Sequence, residues 1–201
     1  LVGSEMCIRD RGTGEVVARI SKTILDIDPA AWNICFPGHV EDYDCLLAIE
    51  EAGLAGFEWR YVTLVENGRI LAAMPFFICP YMLDTTLEDG LVRRTVRRMR
   101  QWFPRFLTLR LACLGSPCTE SAAIGFHPDL AASQRSSLFG LLLNAFEASA
   151  ADETCPLMAL KDVPKTTPAA LIDILSKRHY AALGSLPTAA LEIDFETVEE
   201  Y

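Results

Sequence analysis

The chain has 201 residues and a net charge of −9, with 51% hydrophobic and 22% charged residues. That is a globular composition with length for one or two packed domains, and it excludes an intrinsically disordered chain. The acidity argues against nonspecific electrostatic binding to nucleic acid or anionic lipid unless a local basic patch overrides it.

Leu1 to Arg11 matches, in one reading frame, the translation of a common transposon-based library adapter, so 1–11 is set aside as adapter-derived. Glu5, Arg9, Asp10 and Arg11 cancel in charge, and the natural remainder keeps the acidity. The β-branched run within Glu15 to Ile24 predicts a strand. Asp28-Pro29 then supplies an N-cap and a proline at the first helical position for a helix over Ala30 to Cys35. Tyr43, Leu46, Leu47 and Ile49 recur at helical spacing, which predicts a second helix within Val40 to Ala52.

Arg60 to Glu66, then Asn67-Gly68, then Arg69 to Met74 reads as a β-hairpin, because Asn-Gly supplies the positive φ angles of a type I′ turn. Pro75 suits a bulge or a sheet edge. Ile70 to Leu83 is too short to span a membrane and is interrupted by Pro75 and Pro80. Gly90 to Phe103 predicts a helix that opens an arginine run of Arg93, Arg94, Arg97, Arg98, Arg100, Arg105 and Arg110, half of all arginines in the chain. Val92, Val96, Met99 and Phe103 lie on the opposite stripe. Such a face can simply be solvated, or can contact phosphate, transfer RNA, an acidic partner or a membrane surface.

Thr108 to Leu114 predicts a strand that runs into Gly115-Ser116-Pro117-Cys118-Thr119-Glu120. A long helix follows over Asp129 to Ala151 with Leu138, Leu141, Leu142, Ala145 and Phe146 as its buried stripe. Pro156 to Val163 predicts a strand, Thr167-Pro168 opens a helix to Ala182, and Thr188 to Phe195 predicts a last strand. Glu196 to Tyr201 reads as the first turn of an element that continues beyond the chain.

The natural cysteines, Cys35, Cys45, Cys79, Cys113, Cys118 and Cys155, include no Cys-x-x-Cys pair. His39, His127 and His179 lie at no zinc-ligand spacing from them. They read as reduced core residues of a cytoplasmic protein with no metal.

The loop Gly115 to His127 follows a central strand and precedes the long helix, where open α/β sheets place ligands. Glu120 and His127 are the candidate catalytic groups, and Ser116, Thr119 and Arg135 the candidate cofactor-binding groups. Cys118 is a lesser candidate nucleophile. The same loop also fits a plain surface connection in which Gly115 and Pro117 set the turn.

The order β-α-α-β-β-α-β-α-β-α-β gives a mixed α/β sheet flanked by helices, antiparallel at the hairpin and parallel where helices cross over. This order resembles that of the GNAT superfamily of N-acyltransferases. Ile27 to Asn33, Gly68 to Phe77 and Ser185-Leu186-Pro187-Thr188 together resemble the FemAB-like, peptidoglycan-biosynthesis-like group. The resemblance implies a GNAT-like domain over 12–195, with 196–201 starting an element before a second GNAT-like half. It also implies transfer of an acyl or aminoacyl group from a donor such as acyl-CoA to an amine, transfer RNA being a less favoured partner. GNAT proteins usually hold the donor pyrophosphate on an Arg/Gln-x-x-Gly-x-Gly/Ala turn. Here the equivalent stretch, His127 to Arg135, lacks it, which leaves open a noncatalytic substrate- or partner-binding module.

Overall fold

The computed structural model describes residues 5–8, 16–83, 91–103, 106–119, 122, 124–184 and 197. The elements, in chain order, are β1 (Glu5–Ile8), β2 (Val16–Ser21), a 3₁₀ turn (Ile24–Asp26), α1 (Pro29–Cys35), α2 (Tyr43–Glu51), β3 (Glu58–Glu66), β4 (Arg69–Met82), α3 (Leu91–Trp102), β5 (Thr108–Leu114), β6 (Gly125–Phe126), α4 (Ala132–Asp152), β7 (Leu157–Leu160) and α5 (Ala169–Lys177). The segments Thr188–Phe195 and Glu196–Tyr201, apart from residue 197, and the motif Ser185–Thr188 lie outside the described residues.

Several boundaries follow from local chemistry. Asp28 caps α1 by accepting from the Ala31 N–H at 2.8 Å, and Asp42 caps α2 by accepting from the Cys45 N–H at 2.9 Å. The second cap starts α2 three residues later than the periodicity alone suggests, so Val40 and Glu41 belong to the loop. Asn67 and Gly68 take φ of 50° and 78°, and β3 and β4 pair across them.

The sheet runs β1-β2-β3-β4-β5-β7, antiparallel except for the parallel pair β5–β7. β1 falls in the segment set aside above, and its pairing with β2 shows that the β2 edge accepts a strand. One core, with α4 and α5, packs Val62, Leu64, Met74, Phe76 and Ile78 against Phe139, Leu142 and Phe146. The opposite face packs Trp32, Phe36, Tyr43 and Leu46 of the α1–α2 region onto Tyr61, Ile70 and Ala73. The sheet is thus covered on both faces, which is how a mixed α/β sheet hides its apolar strands.

Along one edge, β4 has two partners in succession. Phe76 to Met82 pairs with β5, and Ala72-Ala73 pairs with β6. β5 and β6 therefore form one interrupted strand: the chain leaves at Gly115, whose N–H donates to Pro75 O at 3.0 Å, and rejoins at Gly125. Between these points the described residues, Ser116 to Thr119, Ala122 and Ile124, form an excursion from the sheet. This explains how Pro75 sits mid-sheet. Its carbonyl faces the β5 side, so the N–H it lacks would too, at the point where Gly115 turns the chain out of β5. Pro80 faces the other way, past Glu58, where β3 has not begun.

Candidate functional site

The excursion is held from three sides. Gly115 turns out of β5 at φ +100°, a conformation that favours glycine. The Ser116 hydroxyl, buried beneath the turn, accepts from the Cys118 N–H at 3.1 Å. Just beyond β7, the Lys161 N–H donates to Leu114 O at 3.1 Å, the Lys161 ammonium donates to Thr119 O and pairs with Asp162, and the Ala122 N–H donates to Asp162 O at 3.2 Å.

The α1–α2 loop faces this excursion. Its position is set by Phe36, which stacks on Trp32 with centroids 4.8 Å apart and lies against the backbone of Gly125. A Cβ at Gly125 would come within 2.5 Å of the Phe36 ring, so β6 can pass only as glycine. From Phe36 the chain turns through Gly38, at φ +72°, and returns at Tyr43, whose N–H donates to Asn33 Oδ1 at 2.8 Å.

Between loop and excursion lies a cleft of about 560 Å³ lined by Pro37, Gly38, His39, Val40, Glu41, Cys118 and Thr119. Glu41 is 4% exposed, and its Oε1 has no hydrogen-bond partner among the described residues. Burial pushes its acid up to about 7, with the Lys161 charge pulling the other way. A buried, unpartnered carboxyl that titrates near neutrality at a cleft has the properties of a general base.

The residues singled out from sequence scatter around this point. Thr119 lines the cleft and Ser116 shapes the turn beneath it. Glu120 lies outside the described residues. His127 follows β6, where its ring nitrogens lie 2.7 and 2.8 Å from an Arg69 guanidinium nitrogen that also bonds Asp129 at 2.6 Å. Arg135 turns back on the start of its own helix, donating to Leu130 O at 3.1 Å and Pro128 O at 3.3 Å. Cys118 is exposed, whereas burial pushes Cys35 up to about 11 and Cys113 up to about 12, leaving both as inert core thiols.

Glu41 was not legible as a site residue in sequence. The only local oddity is a carboxylate just before the capping Asp42, where an apolar residue often packs onto the helix.

The turn into α4 does not fit a backbone cradle for pyrophosphate. It has no glycine, Pro128 lacks an N–H, the Ala131 N–H is taken by Gln134 Oε1 at 2.9 Å, and the Asp129 carboxylate stands beside it. Among the described residues, no group of three or more His, Cys, Asp and Glu side chains is placed to hold a metal ion. No described helix is long and apolar enough to cross a membrane.

No protein-family model and no curated protein sequence matches this chain. Solved structures do resemble it. A ribosomal-protein-alanine N-acetyltransferase from Brucella melitensis biovar Abortus 2308 superposes with a TM-score of 0.50 at 9% identity, over 89% of this chain and 99% of that one. An aminoglycoside antibiotic 6′-N-acetyltransferase from Acinetobacter haemolyticus gives a TM-score of 0.49 at 11% identity, over 88% of this chain and 99% of that one. The architecture is that of the GNAT acetyltransferase fold, a mixed sheet flanked by helices. At this identity the likeness speaks for the fold alone.

Proposed function

We propose that this chain is an N-acyltransferase that moves an acyl group from a thioester or ester donor to an amine, with Glu41 as the proton acceptor. The observation that carries this reading is the Glu41 carboxyl, buried and unpartnered beside the cleft, with its acid pushed up to about 7. An acceptor amine arrives largely as an ammonium and must lose a proton before it can attack, and a base titrating near the working pH does this best. The amine nitrogen then bonds to the acyl carbon, the carbon–sulfur or carbon–oxygen bond breaks, and the leaving group takes up one proton. Lys161, held against the excursion, keeps positive charge at the same end of β7.

The GNAT fold and the FemAB-like motifs support acyl or aminoacyl transfer, and acyl-CoA is the donor to test first. Within this reading the excursion carries the chemistry: Thr119 contacts substrate, Ser116 holds the turn, and Glu120 is a second carboxylate for the same loop. His127 and Arg135 shape the turn into α4. The reading covers 12–195 as one GNAT-like domain, and the free thiols suit the cytoplasm.

The experiment is thiol release from acyl-CoA donors across a panel of small amines. The wild type should show a kcat/KM that rises with pH and inflects near 7, and Glu41→Gln should lose about 10²–10⁴-fold and the inflection. Wild-type turnover in Glu41→Gln would remove Glu41 from the chemistry. The unsuitable turn into α4 favours a second reading, a noncatalytic amine-binding module. Saturable amine binding with no transfer from any thioester or ester donor would establish that one instead.

A further inference from the structure

One end of the molecule carries a surface that acyl transfer does not use. α3 reads LVRRTVRRMRQW, with arginines at 93, 94, 97, 98 and 100 and no carboxylate, in a chain whose net charge is −9. Its stripe of apolar residues is not simply a core face. Val96 is buried, but Met99, Trp102 and Phe103 are 40%, 79% and 66% exposed. The side chains of 91–93 and 97, and residue Arg105, lie outside the description.

The exposed apolar residues do not stand singly. Arg100 donates through Nε to Phe106 O at 3.0 Å and through a terminal nitrogen to Leu107 O at 3.3 Å, and its other terminal nitrogen lies 3.1 Å from Met82 Sδ. The Leu83 N–H donates to Leu107 O at 3.0 Å. These contacts bring the last turn of α3 beside the tip of β4 and the start of β5. Met82, Leu83 and Leu107, each more than a third exposed, therefore join Met99, Trp102 and Phe103 at one end of the fold. The exposed Arg94 and Arg98 line a groove of about 490 Å³ with Thr95, Met99 and Trp102, so cationic and apolar groups share one surface.

We propose that this end of the molecule docks peripherally on an anionic phospholipid bilayer. Trp, Phe, Leu and Met would enter the boundary between headgroups and acyl chains, and the arginines would meet lipid phosphates. A bilayer uses both halves of the surface. A nucleic acid would engage the arginines and could stack on Trp102 and Phe103, but would leave Met82, Leu83 and Leu107 in water. A second copy would bring two arginine-rich helices together, which like-charge repulsion disfavours. The acidic remainder of the chain is repelled by the same bilayer, so contact is confined to this end and its orientation is fixed.

The test is co-sedimentation of the full chain with phosphatidylcholine vesicles, with and without phosphatidylglycerol. Binding should require phosphatidylglycerol and fall as salt rises. Arg94→Glu/Arg98→Glu and Trp102→Ser/Phe103→Ser should each weaken it by about tenfold or more, with unchanged circular dichroism and melting temperature. Equal sedimentation with both vesicle types, or full binding by the Trp102→Ser/Phe103→Ser variant, would overturn the proposal. So would binding to single-stranded RNA or an acidic peptide with vesicles left unbound.

Discussion

Glu41 sits where a loop and an excursion meet, and its protonation has opposite consequences for folding and for chemistry. Burial raises its acid from 4.5 to about 7, so between those values the folded chain holds a proton that the unfolded chain has lost. Stability from this group is therefore full below about pH 4.5, falls as pH rises through the window, and levels off above about 7. At about 1.4 kcal/mol per unit, the loss is on the order of a few kcal/mol. Urea unfolding of Glu41→Gln should lack this decline, making the variant the more stable of the two near pH 8. A wild type whose stability is flat across that range would show that Glu41 is solvated. The carboxylate form that weakens the fold is the form that accepts a proton, a trade common at active sites. None of this is visible in the sequence, because Glu41 lies at a cleft whose walls, Pro37–Val40 and Cys118-Thr119, are far apart in the chain.

Elements whose boundaries rest on local chemistry were legible from the sequence. The Asn67-Gly68 hairpin, the Asp28-Pro29 start of α1 and the strand Thr108–Leu114 appear where their residues place them, since turn geometry, capping and β-branching act within a few residues. β6 was not legible, because two residues become a strand only through the β4 edge beside them. Its glycine matters through distance as well as pairing. Gly125→Ala must displace the Phe36 ring, which positions the loop carrying Glu41. The expected cost is about 1–3 kcal/mol of stability, with a larger fractional loss of acyl transfer than of fold. Thermal melts and kcat/KM on the same sample separate the two. An alanine variant with native stability and native turnover would mean that the loop can shift freely.

At the scale of the whole molecule, α4 is joined to the sheet by a charged clasp as well as by apolar packing. Arg60, almost fully buried on β3, bonds Glu153 at 2.7 Å and Glu58 at 3.0 Å, and Arg110 on β5 bonds Glu58 at 2.8 Å. The hydrogen bond from Arg60 holds the Glu153 carboxyl below its usual range. Its contribution is present above about pH 4.5 and is lost as pH falls. Glu153→Gln should cost about 1–2 kcal/mol at neutral pH, and the gap from wild type should narrow in acid, as read by urea midpoints at both pH values. A constant gap would assign the effect to packing. The same scale exposes a property of the interrupted strand. The excursion leaves and rejoins at points fixed independently, Gly115 on Pro75 and His127 on Leu71, with the N–H of His127 donating at 2.8 Å. Its length is thus uncoupled from the register of the sheet. The two anchors keep β5 and β6 in register on β4 independently of the contacts that Thr119 and Ala122 make with Lys161 and Asp162. Under the proposed transferase reading, substitutions in the excursion would change acceptor preference while the sheet keeps its register.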